Sequence, residues 1–142
     1  MTKEELKLRT KQFALRIIKL VDELPNIKAG NTIGNQIIHS ATSVAAKYRS
    51  ACRARSSADF ISKITIVEEE ADETLFWIEM IVDANLIKIE RLHELLKEAD
   101  ELTAIFTASG KTGKQNNPKS PIRNPKSTIL TNLYIQRLSN GG

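Results

Sequence analysis

The chain has 142 residues, with 21 Lys+Arg against 17 Asp+Glu, a formal net charge of +4 and a single cysteine. That length fits one domain that can bury its own core. The lone Cys52 excludes an internal disulfide framework and fits a reducing compartment. No run of about 18 apolar residues is present to cross a membrane, and the charged start, Met1-Thr2-Lys3-Glu4-Glu5, predicts no signal peptide. A cytoplasmic protein is the expectation.

Residues 4–24 read as the first helix. Leu6, Phe13, Ile17, Leu20 with Val21, and Leu24 recur at helical spacing. Ala14 and Ile18 are expected to widen this stripe, as in a helix packed inside a bundle. Pro25 should end it, because proline disfavours the helical state of the residue before it. The second helix is predicted over residues 32–54, with Thr32 as N-cap. Ile33, Ile37, Ala41, Val44, Tyr48 and Cys52 form its core stripe. Its many small residues, such as Gly34, Ser40 and Ala41, permit close helix approach.

The third helix is the most clearly marked, over residues 57–84. Ser56 or Ser57 can cap it, and Ser56-x-x-Asp59 resembles a capping box with Asp in place of Glu. Phe60, Ile64, Val67, Ala71, Leu75, Ile78 and Val82 then make a long core stripe. The fourth helix spans 89–109, with Leu92, Leu95, Leu96, Ala99, Leu102, Ile105 and Phe106 facing inward and Gly110 as a stop. No strand-period run interrupts residues 1–109. Four amphipathic helices with short loops predict an all-α, antiparallel up-down four-helix bundle over residues 1–109. Residues 110–142 differ in kind. Pro118, Pro121 and Pro125 fall among Lys, Asn and Ser, a composition that does not offset its ordering entropy. The tail is expected to be disordered or to dock on the bundle or a partner, and its stretch 127–138 could form a short amphipathic helix.

The charge is unevenly spread. Residues 1–109 hold 15 basic and all 17 acidic residues, a net of −2; the tail holds six basic residues and no acid. Within the bundle, five basic residues and no acid lie between Leu24 and Ala58, whereas Asp59 to Asp83 contains eight acids and only Lys63. A basic second helix therefore precedes an acidic third. The candidate nucleic-acid contacts are Lys47, Arg49, Arg53 and Arg55, joined by Lys111, Lys114, Lys119, Arg123 and Lys126 of the tail. On the third helix, Asp59, Ile66, Glu70, Glu73 and Trp77 form a side stripe, a candidate subunit interface. The plainer reading of both sets is a solvated surface with weak ion pairs between helices.

Catalytic constellations are absent. His39 falls on a polar face, His93 sits at the core boundary, and neither has triad spacing. Gly110-Lys-Thr-Gly113 lacks phosphate-loop spacing and a preceding strand. Glu90-x-x-His93 matches the motif used twice in di-iron bundles, but it occurs once, and the pattern turns Leu92 inward instead of Glu90. No enzyme, cofactor or metal site is expected.

Three stretches resemble a known family: 40–48 (SATSVAAKY), 57–60 (SADF) and 67–78 (VEEEADETLFWI). They are similar to the S23-like small four-helix bundle proteins encoded in intervening sequences of 23S ribosomal RNA. The resemblance covers roughly residues 10–109. It implies an up-down bundle that assembles as a homopentameric ring without enzymatic activity. It also implies kinship with accessory proteins of diversity-generating retroelements, which bind reverse transcriptase and nucleic acid. Two features depart from the family pattern. Ala45-Ala46-Lys47 replaces a usual Gly-Ala-Asn, and the basic tail exceeds the usual ending. The resulting expectation is a homo-oligomer that binds structured RNA or a ribonucleoprotein. The alternatives are an accessory protein for a reverse transcriptase or other protein, and a purely structural oligomer.

Overall fold

The computed structural model describes residues 1–113. They form four α-helices in the order α1 (Lys3–Val21), α2 (Lys28–Ala51), α3 (Ser57–Asp83) and α4 (Ile89–Gly113). Each helix runs antiparallel to the next. α2 packs on α1 and α3, α3 on α2 and α4, and α1 meets α4 more loosely. The architecture is an up-down four-helix bundle. The tail, from Lys114 on, lies outside the described residues, as do the expectations placed on it.

Local chemistry sets the helix ends. The Thr2 hydroxyl accepts from the Glu5 amide at 3.1 Å and caps α1. Ser56 accepts from the Asp59 amide at 3.1 Å, and the Asp59 carboxylate accepts from the Arg55 amide at 3.1 Å. The expected capping box is thus present at α3, closed on the residue before the cap. α3 ends in a Schellman turn. The Leu86 amide donates to the Ile81 carbonyl and the Asn85 amide to that of Val82, with Asn85 at φ 56°.

The structure corrects four expected boundaries, one of them the end of α2, which falls at Ala51 and not at 54. α1 stops at Val21, before Pro25 is reached. α2 begins at Lys28 after Ile27, a full turn before Thr32. The reason is the tight return from α1: a Cβ on Gly30 would lie 2.1 Å from the Pro25 carbonyl oxygen, so the chain re-enters a helix against Pro25 with no room for a side chain. Gly110 does not stop α4. It is buried inside the helix facing α3, where a Cβ would meet Ile64 at an ordinary 3.8 Å, so the helix runs on through it.

The core follows the predicted stripes closely. Phe13 and Ile17 from α1, Ile37, Ala41 and Val44 from α2, Ile64, Val67 and Ile78 from α3, and Leu92, Leu102 and Phe106 from α4 are essentially sealed from solvent. Tyr48 stacks at a tilt on Phe106, with ring centroids 5.6 Å apart. Ile18 does not widen the core stripe. It is 41% exposed on the outer side of α1. Cys52 is half-buried at the C-cap of α2. Ser40 and Thr74 are fully buried polar groups at the α2–α3 contact, and the Thr74 hydroxyl donates to that of Ser40 at 2.8 Å.

Candidate nucleic-acid interface

The antiparallel topology decides which basic residues meet. Arg49, near the end of α2, lines one groove with Glu4 and Lys7 from the first turns of α1. Phe60, in the first turn of α3, shares a hollow with Ile105 and Thr112 near the end of α4. The start of α1, the end of α2, the start of α3 and the end of α4 therefore lie at one end of the bundle. Arg53 and Arg55 project from the α2–α3 connection there, and Lys111 lies on the last turn of α4; all are exposed, as is Arg49. Lys114, Lys119, Arg123 and Lys126 fall outside the described residues, but α4 delivers the chain to them at this same end.

Two of the three ordered acids nearest this end are engaged. Glu4 pairs with Lys7 at 3.0 Å, and Asp59 with Lys63 at 3.1 Å. The Arg55 amide and Lys63 hold the Asp59 carboxyl below its ordinary range. Glu5 is exposed beside them.

Lys47 stands apart from the arginines. It reaches across α2 to Glu70 of α3, 3.3 Å away, whereas Arg49 turns toward α1. The basic residues of α2 thus divide between two flanks, and the charge of Lys47 is directed at a neighbouring helix. The departure from the family pattern at position 47 is answered within the chain.

The side stripe of α3 also divides. Asp59 is a capping residue, Glu70 faces Lys47, and Trp77 is half-buried. Ile66 and Glu73 stay exposed. Glu70 Oε2 and Trp77 Nε1 are buried without a hydrogen-bond partner among the described residues. The stripe reading missed Phe76, which is 48% exposed and packs edge-on to Trp77 with centroids 4.9 Å apart. It missed Met80, Leu8 and Leu15 as well, all exposed. The signal that finds them is a second apolar spacing on the same helices, off the core face.

Glu79 on α3 is a second perturbed acid. Burial, then Asp72 and Asp83, push its carboxyl up to about 7. His39 is exposed, His93 is half-buried beside Glu94, and Glu90 is exposed while Leu92 is sealed inward. Among the described residues no group of three or more His, Cys, Asp or Glu is placed to hold a metal ion. No helix among them is long and apolar enough to cross a membrane.

Comparison with known proteins places this geometry. A solved structure of a protein with unknown function, from the S23 ribosomal protein family of Bacteroides thetaiotaomicron VPI-5482, shares 32% identity. It superposes with a TM-score of 0.69 over 74% of this chain and 97% of that one. No curated protein matches. The family model described as 23S rRNA-intervening sequence protein matches residues 4–108, from the capped start of α1 to the last turns of α4. The chain belongs to the 23S rRNA-intervening sequence protein family.

Proposed function

We propose that this protein is a non-enzymatic, cytoplasmic bundle that self-associates and binds structured RNA or a ribonucleoprotein through one basic end. The observation that supports this is the convergence of Arg49, Arg53, Arg55 and Lys111 with the point from which the basic tail departs. Exposed guanidinium groups present fixed forks that suit phosphate oxygens. The five basic residues from Lys114 on add attraction that does not depend on sequence. The family resemblance implies a five-membered ring. Cyclic assembly would present the basic end of every copy equivalently and multiply weak sites by avidity.

The test is titration of a labelled 23S rRNA stem-loop over a range of salt. Binding should fall steeply as salt rises. Arg53→Ala with Arg55→Ala, and separately truncation after Gly113, should each weaken binding and flatten the salt dependence. The slope should drop by about one for each phosphate left without its basic partner. Salt-independent binding, or none by the full chain, overturns the reading. A protein partner such as a reverse transcriptase is the second reading. It is favoured by the exposed apolar side chains Phe76 and Met80, which an RNA surface would not require.

A further inference from the structure

Among the described residues, eight large apolar side chains are exposed. Six of them fall on two seams. On α1, Leu8, Leu15 and Ile18 are 56%, 56% and 41% exposed; on α3, Ile66, Phe76 and Met80 are 41%, 48% and 36% exposed. The α1 seam runs Glu4, Leu8, Lys11, Leu15, Ile18, with steps of four, three, four and three residues. The α3 seam runs Ile66, Glu69, Glu73, Phe76, Met80, with steps of three, four, three and four. This is the alternating spacing by which one helix packs along another. At 1.5 Å per residue, both seams are about 21 Å long. Each lies off the core stripe of its own helix, and α1 and α3 are diagonal in the bundle.

The α1 seam borders a groove of about 620 Å³ against α2. Ala14, Ala45 and Ala46 line it beside the seam residues, with Lys7, Lys11 and Arg49 as its basic groups and Glu4 as its one acid. The α3 seam contains two carboxylates and no base. The charges decide what can cover them. Packing the α1 seam on itself would bring Lys11 to Lys11, and packing the α3 seam on itself would bring Glu69 and Glu73 together. Opposite charges meet only when an α1 seam receives an α3 seam. Lys11 and Glu73 are each the central member of five, so they face one another whichever way the helices run.

We propose that the α1 seam and its groove receive the α3 seam of a second copy of this chain, with Lys11 against Glu73 at the centre. The contact is head-to-tail. It uses two different surfaces of each chain, so it builds a closed ring or an open filament. It rests on the self-association in the reading above and names the surfaces that carry it. The α1 seam starts at the basic end and its groove takes in Arg49, but Arg53, Arg55 and Lys111 lie outside both seams and stay exposed.

The experiment is sedimentation velocity of the full chain over a range of concentrations, for the wild type, Lys11→Glu, Glu73→Lys and the double variant. Each single reversal sets like charges face to face and should weaken association at least about tenfold. The double variant restores opposite charges and should recover the wild-type assembly. Leu15→Asp and Phe76→Asp provide a second arm. Each should be monomeric alone, with an unchanged circular-dichroism spectrum because both side chains are exposed. Mixed together they retain one intact seam pair, so they should form a capped dimer and nothing larger. A wild type that is monomeric at every concentration overturns self-association itself. An associating wild type with unaffected single variants, or no recovery in the double variant, overturns this seam pairing and leaves self-association standing.

Discussion

The α2–α3 junction and the α1–α4 junction are built from different chemistry. α2 and α3 are consecutive and meet along buried surface: both contribute sealed core residues, Ile37, Ala41 and Val44 from α2 and Val67, Ala71 and Ile78 from α3, and the Ser40–Thr74 hydroxyl pair joins the two helices. α1 and α4 are the first and last helices, and charge joins much of their contact. Arg9 Nε donates to Glu98 at 2.9 Å and its Nη2 to Glu101 at 2.7 Å, while Arg91 pairs with Glu23 near the other end. Glu98 and then Glu101 hold the Arg9 guanidinium firmly in its charged form. This bundle holds α2 and α3 by close packing with the Lys47–Glu70 ion pair on the flank, and closes its ring of helices with a denser set of ion pairs. The contribution of the packed side chains should be indifferent to salt, and that of the closing ion pairs should not be.

The largest effect should come from the packed side. Ile78→Ala removes a fully buried side chain from α3 and should cost about 2–5 kcal/mol, since the surrounding helices relax only partly into the cavity. Urea unfolding at a fixed chain concentration measures it. Fixed concentration matters because association would add to apparent stability. The loss should be the same at about 0.05 M and about 1 M salt, a range that screens exposed charges strongly. A loss that varied with salt would break the contrast between the two junctions.

A smaller effect should appear at the closing side. Arg9 and Glu98 are 24% and 16% exposed at the side chain, well below a freely solvated pair. Arg9→Ala should cost about 1–3 kcal/mol, because Glu98 is left half-desolvated without its partner. A double-mutant cycle with Glu98→Ala should give a coupling of about 1–2 kcal/mol. High salt should shrink that coupling. A coupling near zero would mean that α4 is held against α1 by packing after all.

The same division explains what the sequence discloses about this fold. Core stripes are legible because burial repeats at the period of the helix. The spacing turns Phe13, Ile37, Ile78 and Phe106 inward, and all four are sealed. The cap at Ser56 is legible because its partners lie within four residues. The place of Gly110 is not, since it is buried facing Ile64, a residue of the preceding helix and far back in the chain. The candidate site is only half legible. Composition locates the basic residues, but rotation about α2 sends Lys47 to Glu70 and Arg49 toward α1. Topology alone brings Arg53 and Arg55 to the end where α4 finishes. The outer seams escape a sequence reading because Leu8, Leu15, Phe76 and Met80 look like extra core until the core is seen to be full.

The smallest effect lies on the flank of α3, where charge is crowded with like charge. Arg9 is kept charged by the carboxylates it bonds, whereas Glu79 is half-buried with Asp72 and Asp83 pressing on it, and its carboxyl rises to about 7. In the unfolded chain a Glu titrates near about 4.3. Between these values the folded state holds a proton that the unfolded state has released. Stability therefore falls as pH rises through this window. Below about 4.3 both states are protonated and the penalty is absent. Above about 7 it is fully present. Because the group is only half-buried, solvent screening reduces the penalty to about 1 kcal/mol. Glu79→Gln keeps the shape and removes the titration. It should raise the melting temperature at about pH 8, and the gain should fade on acidification and vanish near about pH 4. A gain that persisted in acid would show that the side chain acts through packing, and the charge contrast between the two flanks would fail there.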